Sequence, residues 1–173
     1  MVFSLAFPVA SCENAQNFQI PEANANELSV RLERSECYGT CPIYALAIES
    51  DGKVTFDGKG YTKVIGKAQS RIDQDQINQI IGAIKSSDFF SFDNKYDQDS
   101  GNCPGTAADM PTVTLSIRLG DQEKKIIHYL GCWEPMDRTN RRNLSDAIFP
   151  QKLYLLENKI DEIVESNQWI GMK

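Results

Sequence analysis

Apolar and polar positions alternate with period two from Leu28 to Arg34, so this segment reads as a strand with one buried face. The alternation returns at Tyr44, Leu46 and Ile48, set against Ala45, Ala47 and Glu49. Asp51-Gly52 follows, a pair that joins antiparallel strands tightly. Val54 and Phe56 carry the return strand, with Thr55 and Asp57 on its other side. Gly58 and Gly60 mark a second reversal, and Tyr61 to Ile72 reads as a more irregular strand interrupted at Gly66.

The period then changes. Asp73 caps a helix and Gln76, three residues on, completes a capping box, with Ile72 and Ile77 placed as a hydrophobic staple. Ile77, Ile80, Ile81 and Ile84 form one apolar stripe, and Phe89, Phe90 and Phe92 plug the same core. Asn94 to Met110 is a long polar, turn-rich loop, of a kind that often carries function. Val113, Leu115, Ile117 and Leu119 alternate with Thr112, Thr114, Ser116 and Arg118; Gly120-Asp121 turns the chain, and Lys125 to Leu130 returns. A last helix begins near Pro150, with Leu153, Leu156, Ile160, Ile163 and Val164 as its stripe and Trp169 closing it. This order predicts an α+β domain, an antiparallel sheet with two main helices packed on one face.

Composition narrows the classes of function. The chain has 173 residues, 41% hydrophobic and 24% charged, enough for one domain with a real core. Its net charge of -6 and pI near 4.8 argue against nucleic acid, which needs a basic face. Arg138, Arg141 and Arg142 are the nearest thing to a basic cluster and read as a solvated loop. No run reaches the roughly 20 apolar residues of a membrane-spanning helix.

The N-terminal residues stand apart. Val2 to Ala10 is apolar, and Val9-Ala10-Ser11-Cys12 resembles a bacterial lipobox, in which the cysteine is lipidated and becomes the new N-terminus. The segment lacks a positive n-region and its apolar part is short; the competing reading is a frayed or core-docked strand. Residues 1–12 are therefore expected to be a signal and lipobox segment, 13–27 a polar tether containing Pro21, and 28–173 a single domain. The membrane would be met only through a lipid on Cys12.

With Cys12 set aside, Cys37, Cys41, Cys103 and Cys132 remain, and four cysteines allow three pairings. In an extended strand Cys37 and Cys41 would lie about 13 Å apart, whereas a disulfide needs less than about 7 Å between Cα atoms. Gly39 supplies the tight turn that closes the gap. The favoured pairing is 37 with 41 and 103 with 132, which pins the long loop to the strand after it. A thioredoxin-like redox site, a four-cysteine zinc site and free buried thiols are the alternatives.

The single histidine, His128, lies in the strand Ile126 to Leu130 and reads as a hydrogen-bonded structural residue. Asp97, Asp99 and Asp109 line the long loop, with Glu134 and Asp137 beyond it; they make a possible binding loop, but their spacing matches no calcium loop. Asp73 and Asp75 are accounted for by the positive end of the helix dipole. The sequence holds no glycine-rich phosphate loop, GxSxG elbow or HExxH, so no catalytic residue, metal or cofactor is assigned.

The run Cys37-Tyr38-Gly39-Thr40-Cys41-Pro42-Ile43-Tyr44, with Asp51-Gly52, the segment around Asp109 and Pro111, and His128-Tyr129-Leu130-Gly131-Cys132, resembles the bacterial family of domains of unknown function DUF6438. The resemblance covers most of residues 28 to 170. It implies a secreted or lipid-anchored protein and carries over no activity. Members often have threonine before the loop aspartate, where this chain has Ala108. The expected function is that of a cell-envelope, periplasmic or outer-membrane-anchored lipoprotein, binding an unknown protein or small molecule through the 94–110 loop. A thiol-dependent redox enzyme, a cysteine–metal protein and a purely structural envelope module are the alternatives.

Overall fold

The computed structural model describes residues 27–134 and 147–171. Cys12, residues 13–26 of the tether, Asp137 and the three arginines lie outside the described residues. The domain is α+β. Its strands are β1 (Ser29–Arg34), β2 (Ile43–Glu49), β3 (Lys53–Gly60), β4 (Gly66–Arg71), β5 (Lys95–Tyr96), β6 (Gly105–Thr106), β7 (Thr112–Leu119), β8 (Gln122–Tyr129) and β9 (Cys132–Trp133). Its helices are α1 (Gln74–Ser87), α2 (Gln151–Ile163) and the short α3 (Asn167–Ile170).

Seven strands form one sheet in the order β4-β3-β2-β1-β7-β8-β5, and β6 pairs with β9 in a separate ribbon. Period-two patterning puts Val30, Leu32, Leu46, Ile48, Val54, Phe56, Val113, Leu115, Ile117 and Ile126 on one face, all essentially buried. The register lines up Phe56, Leu46, Leu32, Leu115 and Ile126 as one row across five strands. One row nearer the sheet end come Gly58, Tyr44, Arg34, Val113, His128 and Tyr96. This second row builds the candidate site.

The tight turn after β2 needs Gly52. Its φ is +80°, and a Cβ there would collide with the Ile72 carbonyl oxygen.

The sheet is mostly antiparallel, as expected, with one exception: β5 pairs parallel with β8. The crossing explains this. β4 ends at one edge and β5 begins at the other, six strand spacings of about 4.8 Å away. α1, at about 1.5 Å per residue, carries the chain over most of that span. It starts on a capping box in which Asp73 Oδ1 accepts from Gln76 N–H at 2.8 Å and Gln76 Oε1 accepts from Asp73 N–H at 3.1 Å. Its stripe Ile77, Ile80, Ile81 and Ile84 is buried, and Phe89 seals its far end.

α2 returns the chain across the same face. Glu157 meets His128 of β8, and one turn later Asp161 meets Arg34 of β1 and Tyr44 of β2. α3 then lays Trp169 on Phe56, ring centroids 5.2 Å apart. Gln76 Nε2 donates to the Ile163 carbonyl at 2.8 Å, so the start of α1 is tied to the end of α2.

Residues 61–65 are not strand as expected. Lys63 and Val64 donate their amides to the Ile170 and Trp169 carbonyls, so α3 takes the hydrogen bonds a strand would need.

Candidate functional site

α2 places Asp161 over the Arg34–Tyr44 pair because Leu153, Glu157 and Asp161 follow each other at four-residue steps along one helix face. Asp161 accepts from Arg34 Nε at 3.1 Å, Arg34 Nη2 at 2.8 Å, the Tyr44 hydroxyl at 2.8 Å and Ser166 Oγ at 2.7 Å. Arg34 Nε also donates to the Tyr44 hydroxyl at 2.9 Å, and Nη2 to Asn158 Oδ1 at 3.1 Å. Arg34 Nη1 has no acceptor among the described residues.

The electrostatics follow from this packing. Burial pulls the Arg34 guanidinium down, but the Asp161 carboxylate, helped by Tyr44 and Glu157, outweighs it and holds the pKa above its ordinary value. Burial also pushes the Tyr44 phenol up, with Asp161 adding to the shift and Arg34 opposing it. Tyr44 is therefore a neutral donor, and Asp161 is a carboxylate already filled with donors.

These groups line the inner end of a cleft of about 530 Å³, within the range of ligand sites. Pro42, Pro111, Ile170 and the Cys41 side chain make its apolar walls, and Glu162 and Glu165 stand at its rim. Arg34 lines this space, and its Nη1 is not among the fully enclosed unpartnered polar atoms of the described residues. The cleft can offer one charged N–H edge to an acceptor in a mostly apolar setting.

The Cys37–Cys41 disulfide shapes the cleft wall, with Cα atoms 5.7 Å apart. Gly39 takes φ +145° within that ring, a backbone state that other residues rarely adopt. Tyr38, also in the ring, is 89% exposed, and its amide donates to the Asp109 carbonyl at 3.1 Å. Cys103 and Cys132 form the second disulfide, Cα atoms 5.2 Å apart, and Cys132 is wholly buried. It fixes the 94–110 loop beside the β6–β9 ribbon. Sulfurs joined this way offer no thiolate to a metal.

The three loop aspartates do not act as one group. Asp97 accepts from the amides of Asp99 and Ser100, and its ion pair with Lys95 is 2.7 Å. That hydrogen bond from Lys95 is the main reason its carboxyl sits below the usual range. Asp97 and Asp99 line a shallow depression of about 310 Å³ with Thr112, Ile127 and Tyr129. Asp109, at φ +66°, contributes its carbonyl to Tyr38. Among the described residues no three of His, Cys, Asp and Glu are grouped to hold a metal ion.

His128 is fully buried, as is its partner Glu157. Nδ1 lies 2.8 Å from Glu157 Oε1, and Nε2 lies 3.1 Å from the Phe149 carbonyl oxygen. A carbonyl only accepts, so the Nε2 contact is an N–H donation to Phe149, and the Nδ1–Glu157 contact ties β8 to α2. Glu157 Oε2 is the one fully enclosed side-chain polar atom without a partner among the described residues.

Sequence reasoning missed Arg34, Tyr44, Asn158, Asp161 and Ser166 as a set. One signal was present: Arg34 falls in phase with Val30 and Leu32, so a charge occupies a core-face position.

Residues 28–164 match the model of a family described as a domain of unknown function, DUF6438. No curated protein matches the chain.

Proposed function

The chain belongs to the DUF6438 family, and from that premise we propose that it is an exported, lipid-anchored binding module of the bacterial cell envelope. Paired cysteines fit an oxidising compartment, and the lipobox-like Val9-Ala10-Ser11-Cys12 supplies an anchor. The observation that carries the binding role is the cleft itself: apolar walls surround a guanidinium whose Nη1 has no acceptor among the described residues. On this reading the contact surface centres on Arg34, Pro42 and Pro111, and the aspartates of the 94–110 loop are the alternative surface.

Two experiments test the reading. An NMR screen of small neutral amides against the oxidised full chain should shift the amides of Tyr44 and Ile170, and Asn167→Trp at the mouth should abolish those shifts. Hits that cluster elsewhere, or that ignore the block, would overturn the cleft. Intact-mass measurement on protein from native membranes should find a lipid on Cys12; an unmodified Cys12 with Met1 retained would end the anchor.

A second reading, thiol exchange, has one observation in its favour: Cys41 lines the cleft. An incoming thiolate that attacks Cys37 Sγ would break the ring disulfide, form a mixed disulfide and release Cys41 as the thiolate. Turnover of a model disulfide that Cys37→Ser abolishes in a folded protein would select it.

A further inference from the structure

The cleft's chemistry specifies more than the presence of a ligand. Among the described residues of its lining, one guanidinium accompanies three carboxylates, Asp161, Glu162 and Glu165. Asp161 already neutralises Arg34 at 2.8 Å, so a second carboxylate brought to Nη1 would meet uncompensated negative charge from the rim. A neutral carbonyl oxygen takes that hydrogen bond without such repulsion.

The rim then selects charge on the ligand. Glu162 contacts Lys159 at 3.0 Å in an exposed pair. Glu165 is exposed and has no cationic partner among the described residues. The walls between rim and Arg34 are apolar, from Pro42, Pro111 and Ile170. Beside the mouth, Tyr38 in the disulfide ring offers an exposed aromatic surface, the side-chain type that protein interfaces use as an anchor.

A carbonyl acceptor, an apolar side chain and a cationic side chain are groups that one extended peptide carries together, with neighbouring side chains pointing opposite ways. We infer that the cleft, if it is the binding site proposed above, takes an extended segment of a partner protein. That segment places a backbone carbonyl on Arg34 Nη1, an apolar side chain against Pro42 and Pro111, and a lysine or arginine on Glu165.

The oxidised full chain would be titrated by NMR with acetyl-Leu-Lys-Leu-amide, with its Gln and Glu analogues, and with hexylamine. The lysine peptide should shift the amides lining the cleft. The glutamine analogue should bind about threefold more weakly and the glutamate analogue more weakly still, as expected of exposed ion pairs. Glu165→Gln, at an exposed position, should erase the Lys-over-Gln preference without lowering the melting temperature, and 0.5 M salt should shrink it. Equal binding of the glutamine peptide, or tighter binding of the glutamate peptide, would overturn the basic segment while leaving the cleft a binding site. Hexylamine binding as tightly as the lysine peptide would overturn the peptide in favour of a small amine. If no probe moves the cleft residues, the cleft reading falls with the inference.

Discussion

Arg34 Nη2 and Asp161 Oδ2 stand 2.8 Å apart across 127 residues of chain, and through them the second helix is locked to the central strand. About one seventh of each side chain meets solvent, so the pair is neither a surface bridge nor a fully buried one. Removing one partner leaves the other's charge, with Tyr44 and Ser166, short of a bond. Asp161→Ala should cost about 3 kcal/mol in urea unfolding, the low end for a broken buried pair. The double change Arg34→Met with Asp161→Leu should cost at least about 1 kcal/mol less than the two single changes together. Strict additivity would refute the coupling.

Tyr44 gives the domain an alkaline weakness. Its phenol is raised above the ordinary value of 10.0 in the folded state, first by burial. Above pH 10 the unfolded chain therefore binds fewer protons at this site than the folded one, and stability falls as pH rises. Phenolate absorbance should show tyrosines that titrate late, Tyr44 and the likewise buried Tyr96 among them, and Tyr44→Phe should remove one of these steps. A free titration of all tyrosines in the folded protein would contradict the burial.

The two disulfides should part under graded reductant. Cys37–Cys41 lies in an exposed ring of five residues, whereas Cys132 is enclosed in the core. Loop entropy gives about 2 kcal/mol for the short ring and about 3.6 kcal/mol for the 30-residue one. Differential alkylation with mass mapping should label Cys37 and Cys41 first, with Cys103 and Cys132 labelled only on unfolding. The reverse order would mean the core around Cys132 opens before the ring.

Asp97 is depressed below its ordinary 3.8, chiefly by the Lys95 hydrogen bond. Its contribution is present above pH 3.8 and lost as pH falls through the lower folded value. Carboxyl NMR should give a midpoint below 3.8, and Asp97→Ala should speed amide exchange at Asp99 and Ser100, whose donors it accepts. A midpoint at or above 3.8 would place Lys95 elsewhere.

The sheet and helices were legible where periodicity ran for several residues. Val113 to Leu119 and Ile77 to Ile84 fall on buried faces as read, and Asp73 and Gln76 form their box. Elements without a pattern were not legible. β5 is two residues long, too short to show a period, and only the crossing by α1 decides its direction. β8 begins at Gln122 rather than Lys125, because its polar first residues pair with Leu119 to Ile117 from the tight turn onward. The cleft was the least legible part. Arg34's phase marked it as unusual, but its partner sits on a helix at the far end of the chain, and no local spacing announces a contact of that range.

β1 begins two residues after the first described position and is the middle strand of the sheet, clamped by six residue pairs to β2 and six to β7. Tension arriving along the chain from the N-terminal side would pull this strand lengthwise between two ladders. Both ladders would have to shear at once instead of unzipping pair by pair, so the fold resists mechanical load best at the end where an anchor would hold it.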